Sequence, residues 1–295
     1  SFSSKAMSRA YKANIKIKSK RLNDIIENIL EDMKDFGIKR LSIYKNNGSY
    51  YSGQMSFLSK IVNFTDDKHD LKVSSLDSDL TDCKLAFGNR ELEVMVNDKD
   101  HFGAIFSVKE YNEVSIGSLD KFLQLPQEFI ITQSLCFTDR HNALEKINYQ
   151  NYVLEVSQDE DIKYFSGLND EILNDNRKET DFSDQQTTIT LINDTNRGLK
   201  KDIKSALHTL QKLGLSIIRE ELYLEHCFWS QIPGNFKLLS RKNVVNSSKF
   251  GGFASLHNFP AGSMKNNHWG NAITIFRTIV GTPYFFNFHH KDRGH

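Results

Sequence analysis

The sequence has 295 residues, with 38 Lys+Arg against 37 Asp+Glu and a formal net charge of +1. This is the composition of a folded chain long enough for about two domains, and the charge balance excludes the strongly basic field of a dedicated nucleic-acid binder. Cys83, Cys136 and Cys227 lack C-x-x-C spacing and fit reduced, buried thiols; no apolar run reaches the roughly eighteen to twenty residues of a membrane span, and the polar, basic start is unlike a signal peptide.

Residues 1–20 carry Lys5, Arg9, Lys12, Lys16, Lys18 and Lys20, and the alternation at Ala13, Ile15 and Ile17 reads as an edge strand with a wet lysine face. An amphipathic helix follows over 21–36, with Leu22, Ile25, Ile26, Ile29, Leu30 and Met33 at three- and four-residue spacing, Ser19 as its cap and Gly37 behind it. A strand at 41–44, turn chemistry at Asn46-Asn47-Gly48 and a short helix through Met55, Leu58, Ile61 and Val62 come next. Residues 65–82 read as an exposed excursion, and 83–87, 92–96 and 102–108 as three strands of an antiparallel patch.

From Gly117 the pattern restarts. A short helix over 119–125 ends at Pro126, a β run covers 129–137, and Thr138 or Asp139 is placed to cap a largely helical 140–180. A strand at 187–192 leads through Asp194-Thr195 into a helix with Leu199, Ile203, Ala206, Leu207, Leu210 and Leu213, backed by Gly214 and a strand at 215–218. Residues 220–229 read as helix ended by Pro233-Gly234. The repeated order of strand, helix and strand suggests an α/β (α+β) fold. Two mixed, mainly antiparallel sheet-plus-helix halves, 1–116 and 117–230, are expected, with a connector over 231–295.

The chain changes character at Cys227. Both tryptophans, three of the four prolines and seven of the sixteen glycines lie beyond it, the composition of tight turns held between aromatic anchors. After Arg241 the segment looks irregular until two β runs, 271–278 and 284–288, joined by Val280-Gly281-Thr282-Pro283. Its wording is Phe228-Trp229, Pro233-Gly234-Asn235, Arg241, Ser255-Leu256-His257, Gly262, Trp269-Gly270, Thr278, Gly281-Thr282-Pro283-Tyr284 and Asn287-Phe288-His289. In this order the segment resembles the CagE/TrbE/VirB family, the large ATPase of type IV secretion and conjugation machines.

The resemblance implies that 231–295 holds the connector and the first strands of a P-loop ATPase domain, whose phosphate loop would follow His295. The pattern G-x-x-x-x-G-K-[ST] that cradles phosphates does not occur between Ser1 and His295. The family reading therefore makes this chain the non-catalytic N-terminal docking and assembly region of an exporter of protein or DNA. ATP and Mg are implied for the intact protein, and no cofactor or metal for this stretch. The partners implied are inner-membrane secretion subunits, other secretion ATPases and further copies of itself in a hexamer, at the cytoplasmic face of the bacterial inner membrane without a span of its own. Phe228, Trp229, Pro233, Gly234, Asn235, Arg241, Trp269, Gly270, Thr278, Pro283, Tyr284, Asn287, Phe288 and His289 are then structural, setting the geometry of the domain junction.

His289, His290, Asp292 and His295, with His257 and His268, do not make a metal site, because neighbours on a strand point to opposite faces. Glu221 and Glu225 share a helix face and, with Glu220, read as a solvated flank; a small hydrolase built on such carboxylates and histidines is a distant rival. Gly251-Gly252 reads as a turn. Arg241, Lys242, Lys249, Lys265 and Arg277 interleave with Phe250, Phe253, Trp269 and Phe276, which leaves a stand-alone single-stranded nucleic-acid-binding module as the alternative; the neutral net charge favours aromatics in the core with cations outside.

Overall fold

The computed structural model describes residues 2–34, 38, 40–65, 67–71, 80, 83–111, 122, 125–157, 181–213, 215–253, 261–265, 267, 270–278 and 283–288. The described residues fall into two compact units, one within Ser1–Gln54 and Lys68–Lys72, the other within Met55–Asp67 and Val73–His295.

In the first unit, helix α1 runs Phe2–Asp32, so the basic start is helix and the edge strand expected around Ala13, Ile15 and Ile17 does not form. Three alternating residues are too few to set a strand. No Gly or Pro interrupts the stretch before Gly37, and Tyr11 and Ile15 extend the stripe of Leu22, Ile25 and Ile29 toward the N-terminus. Strands β1 (Ile43–Asn46) and β2 (Ser49–Ser52) pair antiparallel across Asn47 and Gly48, both at positive φ (48° and 89°). Two successive left-handed residues are what a tight hairpin needs, so Asn-Gly was the right signal, although β2 itself was not expected.

The second unit is built on one antiparallel seven-stranded sheet. After α2 (Gly53–Asn63) come β3 (Lys84–Phe87), β4 (Leu92–Val96) and the long β5 (Lys99–Tyr111). Then follow β6 (Glu128–Thr138), helix α3 (Arg140–Ser157), β7 (Phe182–Asn193), helix α4 (Asn196–Lys212) and β8 (Leu215–Arg219). Short α5 (Leu224–Trp229), β9 (Asn243–Asn246) and α6 (Ser247–Phe253) complete it, with a separate hairpin of β10 (Thr274–Arg277) and β11 (Pro283–Phe286). The main path is β3-β4-β5-β7-β6. Along one edge of β5, β4 pairs with residues 99–103 and β8 with 106–111, while β7 takes the other edge. Strands on both sides of residue 117 thus belong to a single sheet.

Side-chain alternation on β5 and β7 sends each strand's residues to two buried faces. One face carries Ala104, Phe106, Val108, Ile189 and Leu191 against Leu199, Ile203, Ala206 and Leu210 of α4. The other carries Ile105 and Ile192 with Val94, Phe64, Leu224, Cys227 and Phe228. Helix α4 starts where expected, with the Thr195 hydroxyl accepting from the Gly198 amide, and Asp139 caps α3 by accepting from the Asn142 amide at 3.0 Å.

Three expectations fail in the second unit. Helix over 220–229 forms only as α5, because Glu220 extends the β ladder instead, its amide donating to the Ile105 carbonyl at 2.9 Å. Nor is the stretch after Arg241 irregular: β9 pairs with β7, and Gly251-Gly252 lies inside α6 and not in a turn. Two valines among polar residues are too short an apolar run to announce this strand, in which Val245 is buried and Val244 packs against Ala143, Ile147 and Phe182. The excursion at 65–82, the helix at 119–125 and the helical reading beyond 157 lie largely or wholly outside the described residues, although Leu80 and Phe122 are buried.

Candidate functional site

The aromatic words that open the C-terminal segment converge on the β5–β7 face of the sheet. Phe228 is fully buried and meets Phe64, Phe87 and Trp229 edge-on, with ring centroids 6.1, 5.5 and 5.0 Å apart. Edge-to-face geometry sets the negative ring face against a positive ring edge, which orients α5 as well as burying it. Pro233 and Gly234, the latter at φ 91°, turn the chain back, and the Asn235 side-chain amide donates to the Trp229 carbonyl at 3.1 Å. The turn is therefore closed by the motif's own asparagine.

Arg241 then returns the chain to the sheet. Its Nε donates to Oε1 of Glu220 at 2.5 Å and its Nη2 to Oε2 at 3.1 Å, a two-pronged pair onto a carboxylate with 0% side-chain exposure. The guanidinium also lies over the Tyr223 ring, 5.4 Å from its centroid. The backbone amide of Arg241 donates to Gln186 Oε1 at 2.7 Å, and Gln186 Nε2 donates to Ser230 Oγ at 3.3 Å. Nearby, the Thr190 hydroxyl donates to Gln231 Oε1 at 2.8 Å, while Gln231 Nε2 donates to the Phe228 carbonyl at 3.1 Å. Residues 220–241 are thus held to β7, and Arg241 to Glu220 just after β8, by a largely buried polar clasp whose members satisfy one another's hydrogen-bonding groups.

The electrostatics follow from this packing. Hydrogen bonding to Glu220 raises the Arg241 guanidinium further above its ordinary value, so it is a fixed cation. Burial, with the Glu220 carboxylate adding to it, pushes the Cys227 thiol up to about 12; its Sγ lies 3.7 Å from Ser107 Oγ. A thiol in that state is neither a nucleophile nor a metal ligand at neutral pH. Chemically, the arrangement joins and orients; it presents no activated group to a substrate.

Glu220 is the residue that the sequence pattern misassigned. It is neither a solvated flank nor a partner of Glu225; it follows β8 directly and is buried, while Glu221 pairs with Arg90. A usable signal existed in the alternation of β8 carried one residue further, which puts a carboxylate at an inward position that demands a cation. The aromatic surface suggested for nucleic acid loses its first cation, since Arg241 is already committed to Glu220.

The remaining motif residues lie apart from the clasp in the chain. Pro283 opens β11 opposite Arg277, Tyr284 pairs with Phe276, the Asn287 side chain donates to the Asn271 carbonyl at 3.0 Å, and Phe288 meets Phe286 edge-on at 5.1 Å. Gly270 takes φ 106° in a turn closed with Asn267, and Thr278 follows β10. Trp269, His289 and the further histidines His257, His268, His290 and His295 lie outside the described residues. Among the described residues no group of three or more His, Cys, Asp or Glu side chains is placed to hold a metal, and no helix is long and apolar enough to cross a membrane.

The chain is 27% identical over 277 residues to the type IV secretion system protein virB4 of Bartonella henselae, covering 93% of this chain and 35% of the relative. It is 27% identical to protein virB4 of Rhizobium radiobacter over 98% of this chain and 38% of the relative. It is 28% identical to the type IV secretion system protein PtlC of Bordetella pertussis over 73% of this chain and 26% of the relative. The chain therefore spans about a third of the length of the relatives it matches. A family match covers residues 39–241, which takes in most of the sheet and closes on the clasp arginine. On that match the chain belongs to the CagE, TrbE, VirB family, component of the type IV transporter system.

Proposed function

We propose that this chain is the non-catalytic docking and assembly region of a type IV secretion ATPase. In this reading the intact protein binds ATP and Mg and powers export, while this region seats it on inner-membrane secretion subunits at the cytoplasmic face and on further copies of itself. The observation that carries the proposal is the family match over 39–241 together with what its last residue does. Arg241 ties the start of the aromatic segment to the central strands, so that a displacement of the segment after 241 is passed to the sheet through a bidentate ion pair and a buried amide. A rigid joint of this kind suits a region that relays movement between a motor and a docked partner.

Co-expression with the inner-membrane subunits of its own secretion system, followed by detergent extraction and affinity capture on the chain, tests the proposal. Capture of one such subunit without added nucleotide is expected. Failure to capture any of them, or salt-sensitive binding of a fluorescent oligonucleotide in their place, contradicts it and favours the nucleic-acid module.

A further inference from the structure

Helix α1 displays an apolar face that its own unit leaves open. Tyr11, Ile15, Leu22, Ile25 and Ile29 are all exposed, on a helix whose described hydrogen bond to the rest of its unit, from Arg40 to Asn23, lies on another side. With Lys18 they form a seam spaced four, three, four, three, four, the alternation of a helix that packs along a second helix. Read from either end, that spacing is the same.

Charge divides along the same helix. Residues 11–21 hold Lys12, Lys16, Lys18, Lys20 and Arg21 and no carboxylate, whereas 22–32 hold Asp24, Glu27, Glu31 and Asp32 and no cation. Parallel pairing of two such helices sets like charge beside like over their whole length; antiparallel pairing sets each basic half beside an acidic one. We infer that α1 pairs antiparallel with α1 of a second copy of this chain, Tyr11 facing Ile29, Ile15 facing Ile25 and Lys18 facing Leu22 across the two-fold axis. The Lys18 stem covers the seam while its ammonium reaches toward the partner's acidic half. An anionic lipid surface answers the basic half of α1 but not the acidic half, over which the apolar seam continues. The pairing deepens the self-association proposed above and rests on it.

The test is made on the whole chain with Cys83→Ser and Cys136→Ser. Chains carrying Ile15→Cys and chains carrying Ile25→Cys, each oxidised alone, give no α1 disulfide, and a mixture of the two gives the mixed disulfide. By sedimentation at about 100 µM the parent is at least dimeric, and Leu22→Glu weakens its association at least tenfold, with helix content by circular dichroism unchanged. Raising salt weakens it as well. Disulfides within either single variant mean parallel pairing and overturn the inference. So does an oligomer indifferent to Leu22→Glu, which leaves self-association through another surface standing. A monomer at that concentration overturns both, and a monomer that floats with phosphatidylglycerol vesicles until Leu22→Glu is introduced assigns the seam to lipid.

Discussion

Replacing Arg241 with alanine isolates what the clasp contributes. The substitution leaves Glu220, with 0% side-chain exposure, facing the place of a guanidinium that had engaged both its oxygens at 2.5 and 3.1 Å. Stripping one partner from a buried pair costs about 3–5 kcal/mol, because the remaining charge is left unpaired. Arg241 itself is 27% exposed, so water enters the gap, and we place the loss near the lower bound, about 3 kcal/mol. Arg241→Lys keeps the charge but not the fork and loses about 1–2 kcal/mol. Glu220→Met with Arg241→Met removes both charges and recovers most of the stability. Urea unfolding followed by tryptophan fluorescence reads all three, since Trp229 sits on α5 beside the clasp. With a slope of about 3 kcal/mol/M, Arg241→Ala moves the midpoint down by about 1 M. A shift under about 0.2 M, or a double variant no more stable than Arg241→Ala, refutes the reasoning.

Three further outcomes follow from the packing. The Cys227 thiol, held up to about 12 against an ordinary 9.0, keeps its proton in the fold after the unfolded chain has lost it; its contribution is whole below pH 9 and declines as the pH rises toward 12, so alkaline destabilisation is smaller in Cys227→Ala, and a maleimide labels exposed Cys136 but not Cys227 before unfolding. Tyr111→Phe removes a buried hydroxyl that donates to Thr187 Oγ1 at 2.8 Å and lowers stability by about 1–2 kcal/mol in the same urea titration. Gly198→Ala drives a Cβ into Asn193 Oδ1, and Asn193 is pinned by the Thr195 amide at 2.9 Å and by its own bond to Asp202 at 2.7 Å, so a loss of about 1–3 kcal/mol is expected where a helix alanine would otherwise help.

Much of the second unit was legible because its signals are local. Thr195 before a run at helical spacing, Asp139 before α3, and the β-rich runs of β3 to β8 each declare themselves within a dozen residues. What escaped depends on partners far along the chain. Glu220 looks solvated until Arg241, twenty-one residues on, is known to face it. Strand β9 offers only two valines between asparagines and is set by its pairing with β7. On α1 the alternation at Ala13, Ile15 and Ile17 and the helical stripe through Tyr11, Ile15 and Leu22 compete over the same residues, and the longer period wins because nothing breaks the helix. The aromatic words that carried the family resemblance run to His289, yet the family match lies mostly upstream of them and ends at Arg241. The relatives' alignments, reaching 98% of the chain in one case, do extend over them.

Interference in a living secretor tests the docking role most directly. The chain is expressed in excess in cells that carry the matching type IV machine, and export of its cargo is measured. A region that docks as proposed competes with the intact protein and lowers export about tenfold or more, and Arg241→Ala, its joint loosened, loses that effect. Export untouched by the chain, at levels where it outnumbers the intact protein, contradicts docking through this region.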